Sequence, residues 1–329
     1  MSHSDHDVDV STTGPTPSGV VQSSVTRWVL TEGNRWLVAV LFSALAAAVV
    51  GVLGWLGVVG VDREGPVTLL LSVFIGGNLT LVPVTITINQ LVLSREFGKP
   101  HDLRERDEGV IALRDELRAL AGVPLIAPAP TAFLRELTAT LDDSATDVYD
   151  EAAATGSEDL ARRAEAFRAE VTAGTDGVER ALSRADFGSY ESLSAMLDLN
   201  SAWLVAAARH LHHDHDEAVA ADPFERMEAT LRLFNVTRQY VKTLYAQKEI
   251  ATLSRLLLYT GFLAVLVAAV WMLSFAAPGR PPAVVTSIAG FSLLSAVVFA
   301  PLAFLLSYTL RLSTLMSYPP LRNSFITDG

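Results

Sequence analysis

The sequence contains no cysteine. Disulfides, thiolate nucleophiles and cysteine-held metals are therefore excluded from its chemistry. Lysine is nearly missing too. Lys99, Lys242 and Lys248 are the only three, which leaves 22 arginines among the 25 basic residues. The familiar catalytic templates are lacking: there is no G-x-S-x-G, no HExxH, no P-loop and no dinucleotide fingerprint. Acidic pairs such as Asp142-Asp143 and Asp107-Glu108 read as ordinary surface charge, so neither enzymatic activity nor a cofactor is expected. The opening MSHSDHDVDVSTTGPTPSG lacks the positive start and short apolar core of a signal peptide. A polar, disordered tail is expected for residues 1–35.

What the chain has instead is long uncharged apolar runs. Trp36–Val61, Pro66–Leu93, Leu256–Ala277 and Ala283–Leu310 contain no Asp, Glu, Lys or Arg. Each reaches the ~20 residues that a helix needs to cross a hydrocarbon core of ~30 Å. The expected fold is an all-α integral membrane protein with four spans. Two transmembrane helical hairpins, 36–93 and 253–311, flank an acidic helical cytoplasmic domain, 94–252, and a short tail occupies 312–329.

The turns inside the hairpins are short, DREG (Asp62–Gly65) and PGRPP (Pro278–Pro282), with one arginine each, Arg63 and Arg280. The opposite side carries more positive charge: Arg27, Arg35, Arg95, Lys99, Arg104 and Arg106, then Lys242, Lys248, Arg255 and Arg311. The excess of basic residues places both termini and the middle domain in the cytoplasm of a multi-pass cell-membrane protein. These basic residues are expected mainly to set that orientation.

The net charge is −11, and residues 94–252 carry all of it, with 29 acidic against 18 basic residues. Such a surface repels phosphate, which argues against a nucleic-acid partner. The acidic, lysine-poor composition resembles that of halophilic proteins. At ~1 M salt the screening length is only ~3 Å and dense negative charge is tolerated.

The middle region shows helical periodicity throughout. Leu134, Leu137, Leu141 and Val148 form one apolar stripe, and Leu193, Leu197, Leu204, Ala207 and Leu211 another. Asn200 interrupts the second stripe and is expected to be a buried polar residue fixing helix register. Breaks are expected at GVPLIAPAP (Gly122–Pro130), ATGS (Ala154–Ser157) and DFGS (Asp186–Ser189). In DPFE, Asp222 reads as an N-cap, Pro223 as the first helical residue and Glu225 as its capping-box partner. Neither glycine nor proline follows until Gly261, so one helix is expected to run from there through the third span. It would join the middle domain stiffly to the second hairpin.

The second span is oddly polar. At 100° per residue, Asn78, Thr85, Asn89 and Glu96 share one side, while Thr80, Thr87 and Ser94 lie roughly opposite. Threonine and serine can return their hydroxyls to a backbone carbonyl one turn earlier, whereas an asparagine amide in hydrocarbon needs another helix or water. Pro83 is expected to kink this span and Pro301 the fourth. Two roles follow for Asn78, Thr85, Asn89 and Glu96. They are either interhelical polar contacts or the lining of a pore formed by several copies of the chain. Ser43, Ala47, Gly51 and Gly54 of the first span suit close helix contact within or between chains.

RHLHHDHDE (Arg209–Glu217) is the most metal-like stretch, with His210, His212, His213 and Asp216 as weak candidate ligands. No second cluster would complete a coordination shell, and histidines near a helix C-terminus also complement its dipole. No metal site is therefore expected.

The order hairpin, helical domain, hairpin, with polar residues in the second span, resembles the bestrophin anion channels in architecture alone. No bestrophin motif accompanies it. That layout implies a homo-oligomeric channel or permeation pathway lined by the second span. The other expected role is a membrane-anchored sensor or scaffold whose cytoplasmic helices bind a protein partner. In both, the lipid bilayer is a partner.

Overall fold

The computed structural model describes residues 33–61, 63–96, 100–184, 189–213 and 219–316, and only the backbone of residues 89, 91–96, 100, 202 and 316. Among the described residues every regular element is a helix. In chain order these are α1 (Arg35–Trp55), α2 (Glu64–Glu96), α3 (Pro100–Ala121), α4 (Pro130–Ala154), α5 (Glu158–Arg184), α6 (Tyr190–Asp198), α7 (Ser201–His213), α8 (Ala221–Ala276), α9 (Ala283–Thr286) and α10 (Ile288–Met316). Helices α1, α2, α8 and α10 are each long and apolar enough to cross a membrane. This is an all-α membrane protein with four candidate spans.

The chain divides into two compact units. Lys99–Tyr245 belongs to a polar helical unit, and Gln22–Gly98 with Ala246–Tyr318 makes an apolar one. Helix α8 is a single element of 56 residues that contributes to both.

In the apolar unit α1 packs most extensively on α10, the second helix of the other hairpin. The pair is antiparallel. Trp36 meets Phe304 edge-on with ring centroids 5.0 Å apart, and farther along α1 the glycines Gly51 and Gly54 face Ser292 and Ile288. A Cβ on Gly54 would stand 2.8 Å from Ile288 Cγ2, and one on Gly51 3.0 Å from Ser292 Oγ. Absent side chains thus bring the two backbones together, as small residues do between membrane helices.

The expected first span runs to Val61, but α1 stops at Trp55. Gly57 adopts φ +72° while its N–H donates to the Gly54 carbonyl and the Val58 N–H donates to the Leu53 carbonyl. That pair of bonds is a Schellman motif, which ends helices at a glycine.

The fourth apolar run is also broken. Ser287, with ψ 145°, separates α9 from α10, and its Oγ accepts from the Gly290 N–H at 3.0 Å as an N-cap does. Gly290 has no room for a side chain, since a Cβ there would lie 1.9 Å from the Val284 carbonyl oxygen.

Two apolar clusters fill this unit. Val67 and Leu71 of α2 meet Ala268 of α8 with Phe291, Leu294 and Val298 of α10. The other gathers Ala39, Leu253, Leu256, Leu257, Ala303, Phe304 and Tyr308. Beside the second cluster, the ends of α1 and α10 are tied through main-chain groups. Arg35 Nη1 donates to the Ser307 carbonyl at 3.3 Å, Ser307 Oγ donates to the Arg35 carbonyl at 3.1 Å, and Arg311 Nη2 donates to the Gly33 carbonyl at 3.0 Å. Both arginines are buried, so they pack two helices together as well as carrying charge.

In the polar unit the α4 stripe of Leu134, Leu137, Leu141 and Val148 is buried almost completely. It packs with the matching stripe Leu160, Ala164, Phe167, Val171 and Val178 of α5. Helix α4 also meets α8, where Ser144 Oγ lies 3.4 Å from Thr230 Oγ1 and Arg226 pairs with Asp147, and Phe224, Met227, Leu231, Phe234 and Val241 of α8 are buried in the same unit. The expected stripe from Leu193 to Leu211 is two helices, not one. Asn200 is exposed and its Oδ1 accepts from the Trp203 N–H at 3.3 Å. It caps the start of α7 and does not set a buried register, because asparagine competes well for the unpaired amides of a helix's first turn. Helix α8 begins at Ala221, so Asp222 lies inside its first turn, where its carboxylate still favours the dipole.

Candidate functional site

The two polar residues of α2 whose side chains are described, among the four expected on one side, are turned inward. Asn78 is 8% exposed and Thr85 fully buried. Asn78 Nδ2 donates to the Phe74 carbonyl of its own helix at 3.0 Å and to the Val298 carbonyl of α10 at 3.4 Å, which uses both of its N–H groups. Val298 lies in the turn before Pro301, next to Val297, whose carbonyl is the one that the missing proline N–H leaves without its helical donor. Thr85 Oγ1 donates to the Leu81 carbonyl at 2.7 Å. The backbones of Asn89 and Glu96 lie in α2, but their side chains are outside the described residues. The opposite line behaves as hydroxyl chemistry requires: exposed Thr80 and Thr87 donate to the Gly77 and Pro83 carbonyls of α2. Gly76 and Gly77 are exposed and have no neighbouring atom within 4 Å of where a Cβ would stand. Pro83 and Pro301 are both internal to their helices.

The histidines form the last turn of α7. His212 stacks on Phe224 of α8, with ring centroids 5.0 Å apart and planes 20° from parallel, while His210 and His213 are exposed. Asp216 lies outside the described residues. No group of three or more metal-ligating side chains is assembled among those that are described.

Two hollows stand out among the described residues of the polar unit. One is an open acidic cleft of about 460 Å³ lined by Asp147, Asp150, Glu151 and Asp222. Arg226 spans it, pairing with Asp147 and donating to the Leu120 carbonyl at 3.2 Å, and the Glu151 carboxylate accepts from the Ala220 N–H at 2.7 Å. These carboxylates hold the start of α8 in place.

The other is an apolar cavity of about 160 Å³ among α3, α4 and α8. Val110, Leu113 and Arg114 supply one wall and Phe133 with Leu134 a second. Thr237, Tyr240, Val241 and Leu244, spaced at three and four residues, form the α8 wall. Arg114 braces the mouth. Its guanidinium donates to the carbonyls of Ala127 at 3.2 Å and Pro128 at 2.6 Å and stands 5.8 Å from the centre of the Phe133 ring. Val241 and Leu244 continue the helically spaced apolar stripe Phe224, Met227, Leu231 and Phe234, which is visible in the sequence by itself. The rest depends on helices more than a hundred residues apart in the chain, which no local pattern reports.

With four apolar helices and an acidic helical unit in place, comparison with known sequences is decisive about kinship. A family model described as a family of unknown function (DUF7972) matches residues 1–318. The chain belongs to that family. No curated protein and no solved structure matches this DUF7972 member.

Proposed function

We propose that this protein is a membrane-anchored sensor. Its polar helical unit receives a signal from a partner protein or a small molecule, and α8 carries that signal to the apolar unit. One observation supports this above the others: α8 serves two separate cores. Met227, Leu231 and Phe234 are buried in the polar unit, and Leu253, Leu256, Leu257 and Ala268 in the apolar one. At ~1.5 Å per residue, this uninterrupted helix is ~84 Å long. A helix held at both ends by packed cores transmits rotation or sliding better than a flexible linker does. In this reading the polar unit lies on the cytoplasmic side, as the basic residues indicate, and the chain has no catalytic role.

Hydrogen exchange tests the coupling. Leu137→Ala, which loosens the core of the polar unit, should raise exchange in the amides of α10. Three glycines inserted after Tyr245 should abolish that response. Exchange in α10 indifferent to Leu137→Ala, with α8 intact, removes the sensor.

A homo-oligomeric permeation pathway lined by α2 is the second reading. The exposed line of Thr80 and Thr87 favours it, whereas the inward turn of Asn78 and Thr85 weakens it. Current through reconstituted protein, with selectivity altered in Glu96→Gln, would establish that alternative.

A further inference from the structure

The two apolar clusters of the apolar unit leave a seam between them. Leu253, Leu256 and Leu257 of α8 share one cluster with Ala303, Phe304 and Tyr308 of α10, while Ala268 of α8 shares the other with Phe291, Leu294 and Val298. The two helices are therefore antiparallel, and α8 between Leu257 and Ala268 lies abreast of α10 between Val298 and Ala303. Each of these stretches holds one residue that weakens a helix, Gly261 in α8 and Pro301 in α10. Helix α1 has neither glycine nor proline between Ala39 and Val50, its residues beside the same two clusters.

Gly261 is the anomaly. Gly54, Gly261 and Gly290 are the buried glycines of the described helices. A Cβ on Gly54 or Gly290 would collide with a neighbour, but one on Gly261 would meet no atom within 4 Å. The Gly261 backbone is ordinary helix as well. Neither close contact nor a left-handed φ calls for glycine there, although glycine is among the poorest helix formers. The seam thus holds spare room beside a soft point of the helix. Ser254, two turns earlier on the same side, is 1% exposed, and its Oγ has no hydrogen-bonding partner among the described residues. Thr252 and Thr260 donate to carbonyls one turn back. A buried hydroxyl without a partner is destabilising, so this seating leaves that half of the helix short of its best pairing.

We propose that α8 flexes at Gly261. The half bearing Leu253 and Leu257 tilts into the spare room, and the half bearing Ala268 stays with its own cluster. Pro301 matches the flexing point on the facing wall, where α10 lacks one backbone hydrogen bond and yields more readily than an unbroken helix. Unbroken α1 is the frame against which the tilt occurs. This deepens the sensor reading and rests on it for what drives the tilt, since the half that moves is the one arriving from the polar unit.

Because the chain has no native cysteine, spin labels can be placed in pairs without removing any thiol. In the full chain in lipid nanodiscs, one pair joins Arg255→Cys of α8 to Leu41→Cys of α1, and a control pair joins Leu273→Cys to Val52→Cys. All four positions are exposed. The first pair should give a broader distance distribution than the control, and Gly261→Ala should narrow it to the control's width. Hydrogen exchange of amides 258–265 should slow about fivefold in the same variant, which is the helix penalty of glycine relative to alanine. A methyl group has room at this position, so Gly261→Ala should keep a cooperative melt. Loss of that melt would show that the room is absent and overturns the proposal. Equal widths for the two pairs in the wild type overturn it too, as does a broad distribution that survives Gly261→Ala. Leu137→Ala is then added to the labelled wild type. A broad distribution that this change leaves untouched supports the flexing and counts against the sensor, whereas equal widths leave the α8 coupling to its own test.

Discussion

At the scale of single residues, the membrane helices use their polar groups sparingly and in pairs. Asn78 was legible as a residue needing a partner, because an amide in hydrocarbon cannot be left alone. Its partner, a carbonyl near Pro301, was not legible, since a main-chain acceptor leaves no trace in the side-chain pattern. Asn78→Leu should lower stability in detergent by about 0.6–2 kcal/mol, and Thr87→Val by close to nothing, since Thr87 bonds only within α2. Equal shifts for the two would remove the bond to α10 from the account. In the polar unit, Glu228 accepts two hydrogen bonds from Arg209 of α7 and one from Arg232. The hydrogen bonds from Arg209 lead in holding its carboxyl below the usual glutamate range. The resulting stability is present above the unfolded glutamate pKa of about 4.3 and is lost as pH falls through the lower folded value. Glu228→Gln should therefore flatten the acid side of a melting-temperature profile and cost about 1 kcal/mol at neutral pH, the arginine ends being largely exposed.

At the scale of elements, the helices were readable wherever a run of residues had one physical explanation. Uncharged stretches longer than a bilayer is thick have few other uses, and the breaks at Gly122–Pro130 and Ala154–Ser157 carry glycine or proline that no helix interior welcomes. Readability failed where one pattern served two ends. Asn200 sits between apolar stripes of compatible phase, so a cap and a buried register residue looked alike. Gly51 and Gly54 suit any close neighbour, and only the packed unit identifies α10 as theirs. The α9–α10 break turns on Gly290. Gly290→Ala puts a methyl group against the Val284 carbonyl oxygen and should abolish the break or the fold, read as loss of a cooperative melt. Gly54→Ala should cost about 1–3 kcal/mol, because the end of the Ile288 side chain can yield where a carbonyl cannot.

At the scale of the molecule, charge is segregated: residues 94–252 hold the whole imbalance of −11. Screening should therefore stabilise the polar unit. Lowering salt from ~1 M to ~0.05 M should reduce its melting temperature while leaving the apolar helices largely unaffected. Circular dichroism in nanodiscs can follow this, and a melt insensitive to salt would discount self-repulsion. The joining of α1 to α10 also sets an order of events on the ribosome. The groups that Arg35 binds lie 272 residues downstream. At roughly 5–20 residues per second, the residues from Arg35 to Ser307 take about 14–54 s to make, and α1 waits that long for its partner. Through that interval the Gly51 and Gly54 side of α1 has no Ser292 or Ile288 to meet, and a close-packing surface without its partner is one that another small-residue helix can occupy.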